Sequence, residues 1–137
     1  GGDMSAAWSL QQAIFAALAK DDAVAVLVGE RVFDHVPRRT AFPYIAVGEG
    51  RESDWSTKTE AGSEHALAIH VWSRAKGTRE ARQVTQAVID ALDNAALGIA
   101  GFALIDLRWR DTTTTREPDG ETLHAQLQFR AVLEKEN

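Results

Sequence analysis

Cysteine is absent from this chain. Disulfides, thiolate metal sites and cysteine nucleophiles are therefore excluded, while the compartment stays open. No apolar run is long enough to cross a membrane, and the first residues lack the pattern of a secretory signal. The common catalytic signatures are missing as well. There is no G-x-S-x-G, no phosphate-binding glycine loop and no dinucleotide fingerprint. Gly48, Gly50 and Gly62 do not make a G-x-G-x-x-G and read as turn residues. Excess positive charge is lacking too. The net charge of −5 argues against a nucleic-acid-binding surface as the main function, because such surfaces are normally basic.

What remains is an ordinary globular composition, 45% hydrophobic and 26% charged, in 137 residues. That length is enough for one domain with one real core. The Gly-Gly-Asp before Met4 reads as a cloning remnant, so residues 1–5 are set aside with it as a tail. A single domain is expected over residues 6–137. The sequence shows no internal repeat and no low-complexity segment.

The chain is organised around residues 64–92, which read as a strand running into a helix. Leu67, Ile69 and Val71 alternate onto one face. Ala66, Ala68, His70 and Trp72 make the other, so the strand is central in its sheet or covered by another subunit. Thr78 is a candidate N-cap. From Arg79 the period turns helical, with Ala81, Val84, Thr85, Val88, Ala91 and Leu92 in one stripe. Before this unit, residues 6–20 predict a helix with Leu10, Ile14, Ala17 and Leu18 as its main stripe. Trp8 and Phe15 sit on its flank. Two readings stay open: a wide, well-buried helix, or contacts with another subunit. A short helix capped by Asp21 or Asp22 and closed by Gly29 follows.

Residues 31–36 are β-prone, and Pro37 and Pro43 bound a loop. Residues 44–49 read as a strand. Residues 50–63 are polar with glycine at both ends, and predict a long loop carrying Trp55. Residues 102–113 predict a strand with Ala103, Ile105, Leu107 and Trp109 on one face. Asp119-Gly120 predicts a hairpin turn into the clearest strand, residues 122–133. There Leu123, Ala125, Leu127, Phe129, Ala131 and Leu133 alternate strictly with Thr122, His124, Gln126, Gln128, Arg130 and Val132. The hairpin is long enough that its tip is expected to project beyond the sheet. The fold class that follows is α+β: a mostly antiparallel sheet of four or five strands, two or three helices packed on one face, and a long C-terminal β-hairpin.

Chemistry-bearing residues are sparse. His35, His65, His70 and His124 have no metal-ligand spacing, and His65 and His70 fall on opposite faces of their strand. They read as separately solvated or hydrogen-bonded. Asp54, Glu60, Glu64, Asp106 and Asp111 read as solvated surface. No catalytic residue, cofactor site or metal site is assigned. Signals for association are stronger, since tryptophan and arginine are enriched at interface hot spots. The candidate interface residues are Trp8, Phe15, Arg51, Asp54, Trp55, Lys58, Thr113 and Arg116. Trp55 has two open readings, a lid on its own core or a contact. The run DTTTTR at 111–116 also has two, an exposed strand end or a contact finger. Loop 50–63 and tip 111–121 are the expected mobile parts, because neither has an apolar stripe to bury.

The order of segments adds a resemblance. A helix with a valine-rich turn leads to GERVFDHVP, then FPYIAVGEG and DWSTKTEAGSEHALAIHVWSRAKG, then an alanine- and valine-rich helix, then DTTTTREPDGETLHAQLQFRAV. From about Ala6 to Leu133 this resembles the tail-completion proteins of long-tailed phages and gene transfer agents. The most specific parts are Pro43-Tyr44-Ile45, Asp54-Trp55-Ser56-Thr57, His70-Val71-Trp72-Ser73 and Asp119-Gly120. The resemblance implies a tail terminator in the virion, not an enzyme. It implies a hexameric ring of copies on the head-proximal end of the tail tube, assembled in the bacterial cytoplasm. The partners would be the tail tube protein and the head-tail connector or stopper protein. DNA would pass through the lumen without specific binding, and no membrane or cofactor would be involved. A head-closure or adaptor subunit is the alternative, and a small ligand-binding or enzymatic α+β domain a more distant one.

Overall fold

The computed structural model describes residues 5–136, so the expected cloning remnant at residues 1–3 lies outside the described residues. The elements run α1 (Ala6–Lys20), α2 (Asp22–Val28), β1 (Val32–Phe33), β2 (Tyr44–Asp54), β3 (Gly62–Ser73), α3 (Arg79–Leu92), β4 (Phe102–Arg116) and β5 (Leu123–Lys135). They form one five-stranded sheet in the order β1-β2-β3-β5-β4. Among the described residues only the β1–β2 pair is parallel. The fold is therefore α+β as the patterning predicts, with β3 in the centre.

One face of the sheet carries the core. Leu67, Ile69 and Val71 of β3 meet Leu127, Phe129, Ala131 and Leu133 of β5 and the stripes of the three helices in one buried cluster. α3 contributes Val84, Val88 and Leu92, and α1 contributes Leu10, Ile14 and Leu18. Ser5 caps α1 by accepting from the Trp8 N–H, and Asp21 caps α2 by accepting from the Val24 N–H. Gly29 ends α2, as the pattern predicts. Thr78 stands at the start of α3 but makes no side-chain cap; its hydroxyl instead faces the Arg82 Nε.

Four expectations change. Residues 50–54 are strand, not loop: Gly50 to Asp54 pair with Leu67 to Ser63. Both faces of this stretch are exposed, so no apolar alternation marks it. The loop that remains, residues 55–61, is cross-tied. Ser56 Oγ donates to Asp54, the Gly62 N–H donates to Ser56 Oγ, and Lys135 N–H donates to the Ala61 carbonyl. Of the β-prone residues 31–36, only Val32 and Phe33 enter the sheet.

In β4 the expected face is broken by bulges, between Leu104 and Asp106 and between Trp109 and Asp111. Each extra residue shifts the alternation by one. Ile105 is thereby left 48% exposed, while Leu104 and Leu107 stand opposite Leu133 and Ala131. The hairpin tip also does not project. Arg116 pairs with Leu123, which pairs with Ser73 at the end of β3. Arg74 then binds the turn directly, its Nε donating to Thr122 Oγ1 at 2.9 Å.

Candidate functional site

The candidate interface residues separate onto opposite edges of the sheet. Trp8 and Phe15 lie one above the other on the outer flank of α1, 44% and 38% exposed. With Gln11, Gln12, Asp34 and Val47 they line an open hollow of about 370 Å³ beside β2. The wide-buried-helix reading of this flank does not hold. Gln11 is fixed there by a hydrogen bond from its Nε2 to Asp34 at 2.6 Å.

Arg51, Asp54, Trp55 and Lys58 follow along β2 and its loop. Arg51 pairs with Ala66 on the helix-free face. Asp54 accepts from both the N–H and the hydroxyl of Ser56. Trp55 is 41% exposed, so it does not close over its own core. Thr113 and Arg116 stand at the far edge, on β4. Thr113 pairs with Gln126, and Arg116 reaches the Gly120 carbonyl across the turn. The run DTTTTR is edge strand rather than a free finger.

Between these edges the helix-free face holds a constellation that single-strand patterns did not reveal. Trp72 of β3 stands opposite His124 of β5, and their rings stack with centroids 3.9 Å apart and planes within 4°. His124 Nε2 meets His70 Nδ1 at 2.7 Å. His70 Nε2 meets Glu49 at 3.2 Å, and His124 Nδ1 faces Glu117 at 3.5 Å. Tyr44 and Phe42 extend the aromatic row, and the Arg74 guanidinium lies 4.4 Å over the Phe42 ring.

Burial lowers the His124 pKa, the neighbouring His70 charge lowers it further, and Glu117 and Glu49 oppose both. Glu49 is lowered mainly by its own backbone N–H. Burial raises Tyr44. The short N···N contact needs one ring to accept while the other donates, so the pair is not doubly protonated in this arrangement. The signal for it was present in principle: His70 and Trp72 alternate on β3, and His124 shares their face on β5. Only the register brings them together.

Lower on the same face, Arg130 donates from Nε to Glu64 at 2.7 Å and approaches Asp106 at 3.5 Å. Paired charges and stacked rings thus cover much of the face, with Arg51 and Arg110 beside them. Among the described residues no three His, Cys, Asp or Glu side chains converge on a metal position. The Glu49–His70–His124–Glu117 series runs in a line rather than around a point. Such a surface suits contact with macromolecules, and nothing in it gathers a nucleophile, a base and an oxyanion donor.

Comparison with known proteins agrees with an assembly role. Residues 12–134 match the family described as tail completion protein gp17. The tail completion protein gp17 of Bacillus phage SPP1 is 26% identical over 94 residues, 67% of this chain and 68% of that protein. The solved virion of a native gene transfer agent particle contains a chain 32% identical to this one. The match covers 96% of this chain and 99% of that chain, with a TM-score of 0.89. Another solved structure covers 98% of both chains with a TM-score of 0.55 at 15% identity, a likeness of fold alone. The chain belongs to the gp17 family of tail completion proteins, structural proteins of the tail rather than enzymes.

Proposed function

We propose that this chain is a tail terminator. Six copies form a ring on the head-proximal end of the tail tube, stop its growth and present a docking surface to the head connector. The observation that carries this reading is the near-complete match to a chain of a gene transfer agent virion, in fold and in sequence together. The division of the molecule supports it. One sheet face is clad in helices, the other is bare and charge-paired, and exposed apolar side chains sit on separate edges. A head-to-tail ring requires two different surfaces on each subunit. The bare face is compatible with a lumen, since Arg130 is paired with Glu64 and Arg74 with Asp119, which leaves Arg51 and Arg110 as the arginines of that face without an ion pair among the described residues.

Electron microscopy of particles assembled with and without the chain tests the function. Separate heads, and tails that are overlong or ragged at the head-proximal end, are expected when it is missing. Tails of normal length that fail to attach would assign it to an adaptor position instead. Complete, infective or DNA-delivering particles would overturn both virion roles.

A further inference from the structure

The sheet ends in two open edges of unlike kind. β1 covers only Ile45 and Ala46 of β2, so among the described residues β2 from Val47 to Asp54 pairs with β3 and with no strand on its other side. β4 is the opposite edge. Between Leu107 and Arg116, among the described residues, its free side is met by one short segment. Asn94 N–H donates to the Leu107 carbonyl, and Asp93 accepts from the Trp109 N–H. From Asp111 to Arg116 that side is open.

Antiparallel strands turn the main-chain groups of alternate residues outward. The Trp109 N–H, aimed at Asp93, sets the phase on β4. Carried across the bulge at Arg110, it turns Thr112 and Thr114 outward. The Trp55 N–H, bonded to Gly62, sets the phase on β2 and turns Gly50, Glu52 and Asp54 outward. Unmet rows like these are templates for another strand.

Strand direction selects which one. β2, β3, β5 and β4 alternate in direction, so β4 runs opposite to β2. A second copy set alongside in the same orientation offers its β2 antiparallel to this β4. We propose that β4 of one copy pairs with β2 of the next, with Thr112 opposite Glu52, Thr113 opposite Arg51 and Thr114 opposite Gly50. This rests on the ring reading above and specifies how the ring closes.

Several independent features agree with this register. The faces match, since Arg51 and Thr113 both lie on the helix-free side, opposite Ala66 and Gln126. The charges match as well: β2 brings Glu49, Glu52 and Asp54 against Arg51, and β4 brings Arg108, Arg110 and Arg116 against Asp106 and Asp111. The register sets Arg110 near Asp54 and Asp111 diagonal to Arg51. The free lengths match too. The neighbour's β2 ends at Asp54, just before Trp109, and its β1 begins just past Arg116.

The offset is suitable for closure. Within one chain Thr112 lies level with Val47, through Leu127 and Ile69. Pairing Thr112 with Glu52 of the next copy shifts the strands by four steps across the Val47–Gly50 bulge. Four steps of about 3.3 Å over four strands about 4.8 Å apart give a tilt of about 35°. Closed sheets tilt by roughly this much.

The absence of cysteine makes the contact testable. Non-hydrogen-bonded antiparallel neighbours hold their Cα atoms about 4.5 Å apart, within disulfide reach. Particles are assembled with the Arg51→Cys/Thr113→Cys double variant and oxidised. A non-reducing gel is expected to show a ladder of linked copies, with either single variant giving monomer only. Thr114→Pro removes an outward N–H and is expected to leave the circular dichroism and melting of the isolated chain unchanged while ring formation on tails is lost. Should it unfold the chain, the cysteine pair decides alone. Rings that assemble normally yet give no ladder overturn the strand pairing and leave the ring reading standing. Tails that carry no ring of the unsubstituted chain overturn both.

Discussion

His124 concentrates the acid sensitivity of the helix-free face. Its ring lies flat on Trp72 and shares a hydrogen bond with His70, so protonation would charge a ring held away from water and beside another imidazole. His65 behaves similarly on the opposite face, where it is 3% exposed and its pKa is lowered by burial, with Glu52 opposing. A base whose folded pKa lies below its unfolded value, about 6.5, leaves the unfolded chain binding more protons as pH falls through that range. Stability should therefore hold above about pH 6.5 and fall on acidification below it. Melting curves at pH 7.5 and 5.5 check this, and His124→Gln should flatten the difference. An unchanged slope in that variant would show that the stacked ring is not responsible. In the core, Phe129 is the largest fully buried side chain. Phe129→Ala should cost about 3–5 kcal/mol, readable as a lower midpoint in urea unfolding.

At the level of elements, turns and bulges set where the polar edges lie. Gly120 has φ of +74°, and a Cβ there would meet no atom within 4 Å. Gly120→Ala therefore tests backbone conformation alone. It should destabilise the hairpin by about 1 kcal/mol, with faster amide exchange at residues 117–122 and no change in the β2–β3 pair. Gly48 is different, because an added Cβ would lie 2.7 Å from the His70 ring.

These elements also mark how far the sequence could be read. The strict alternation of β5 and the stripe of α3 fixed their faces, since burial on one side imposes a period that one strand or helix displays by itself. Residues 50–54 escaped because a strand exposed on both faces has no period to show. The phase of β4 was lost at Ile105 because a bulge is defined by the partner strand, not by the bulged one. His70 and His124, 54 residues apart, became neighbours only through the register of β3 with β5. The candidate interface residues were legible as types, tryptophan and arginine in polar surroundings. Their division between two edges was not.

Across the whole molecule, stability and assembly are carried by different surfaces. Ile14 and Leu18 of α1 are fully buried in the core, while Trp8 and Phe15 of the same helix open the hollow beside β2. Substituting the outer pair should therefore separate folding from function. Trp8→Ser with Phe15→Ser removes apolar area that is already in part hydrated, so the isolated chain should lose no more than about 1–2 kcal/mol and keep its circular dichroism spectrum. Ile14→Ser, in contrast, places an unpaired hydroxyl in the core and should prevent stable folding. If the hollow receives another subunit, the outer double variant should fold yet fail to complete tails, because aromatic anchors in a central contact carry most of an interface's energy. Counting joined particles by electron microscopy, beside a melting curve of the same protein, distinguishes the outcomes. A variant that melts normally and still completes tails would remove the α1 flank from the assembly interface. One that melts normally and leaves heads and tails apart would place it there.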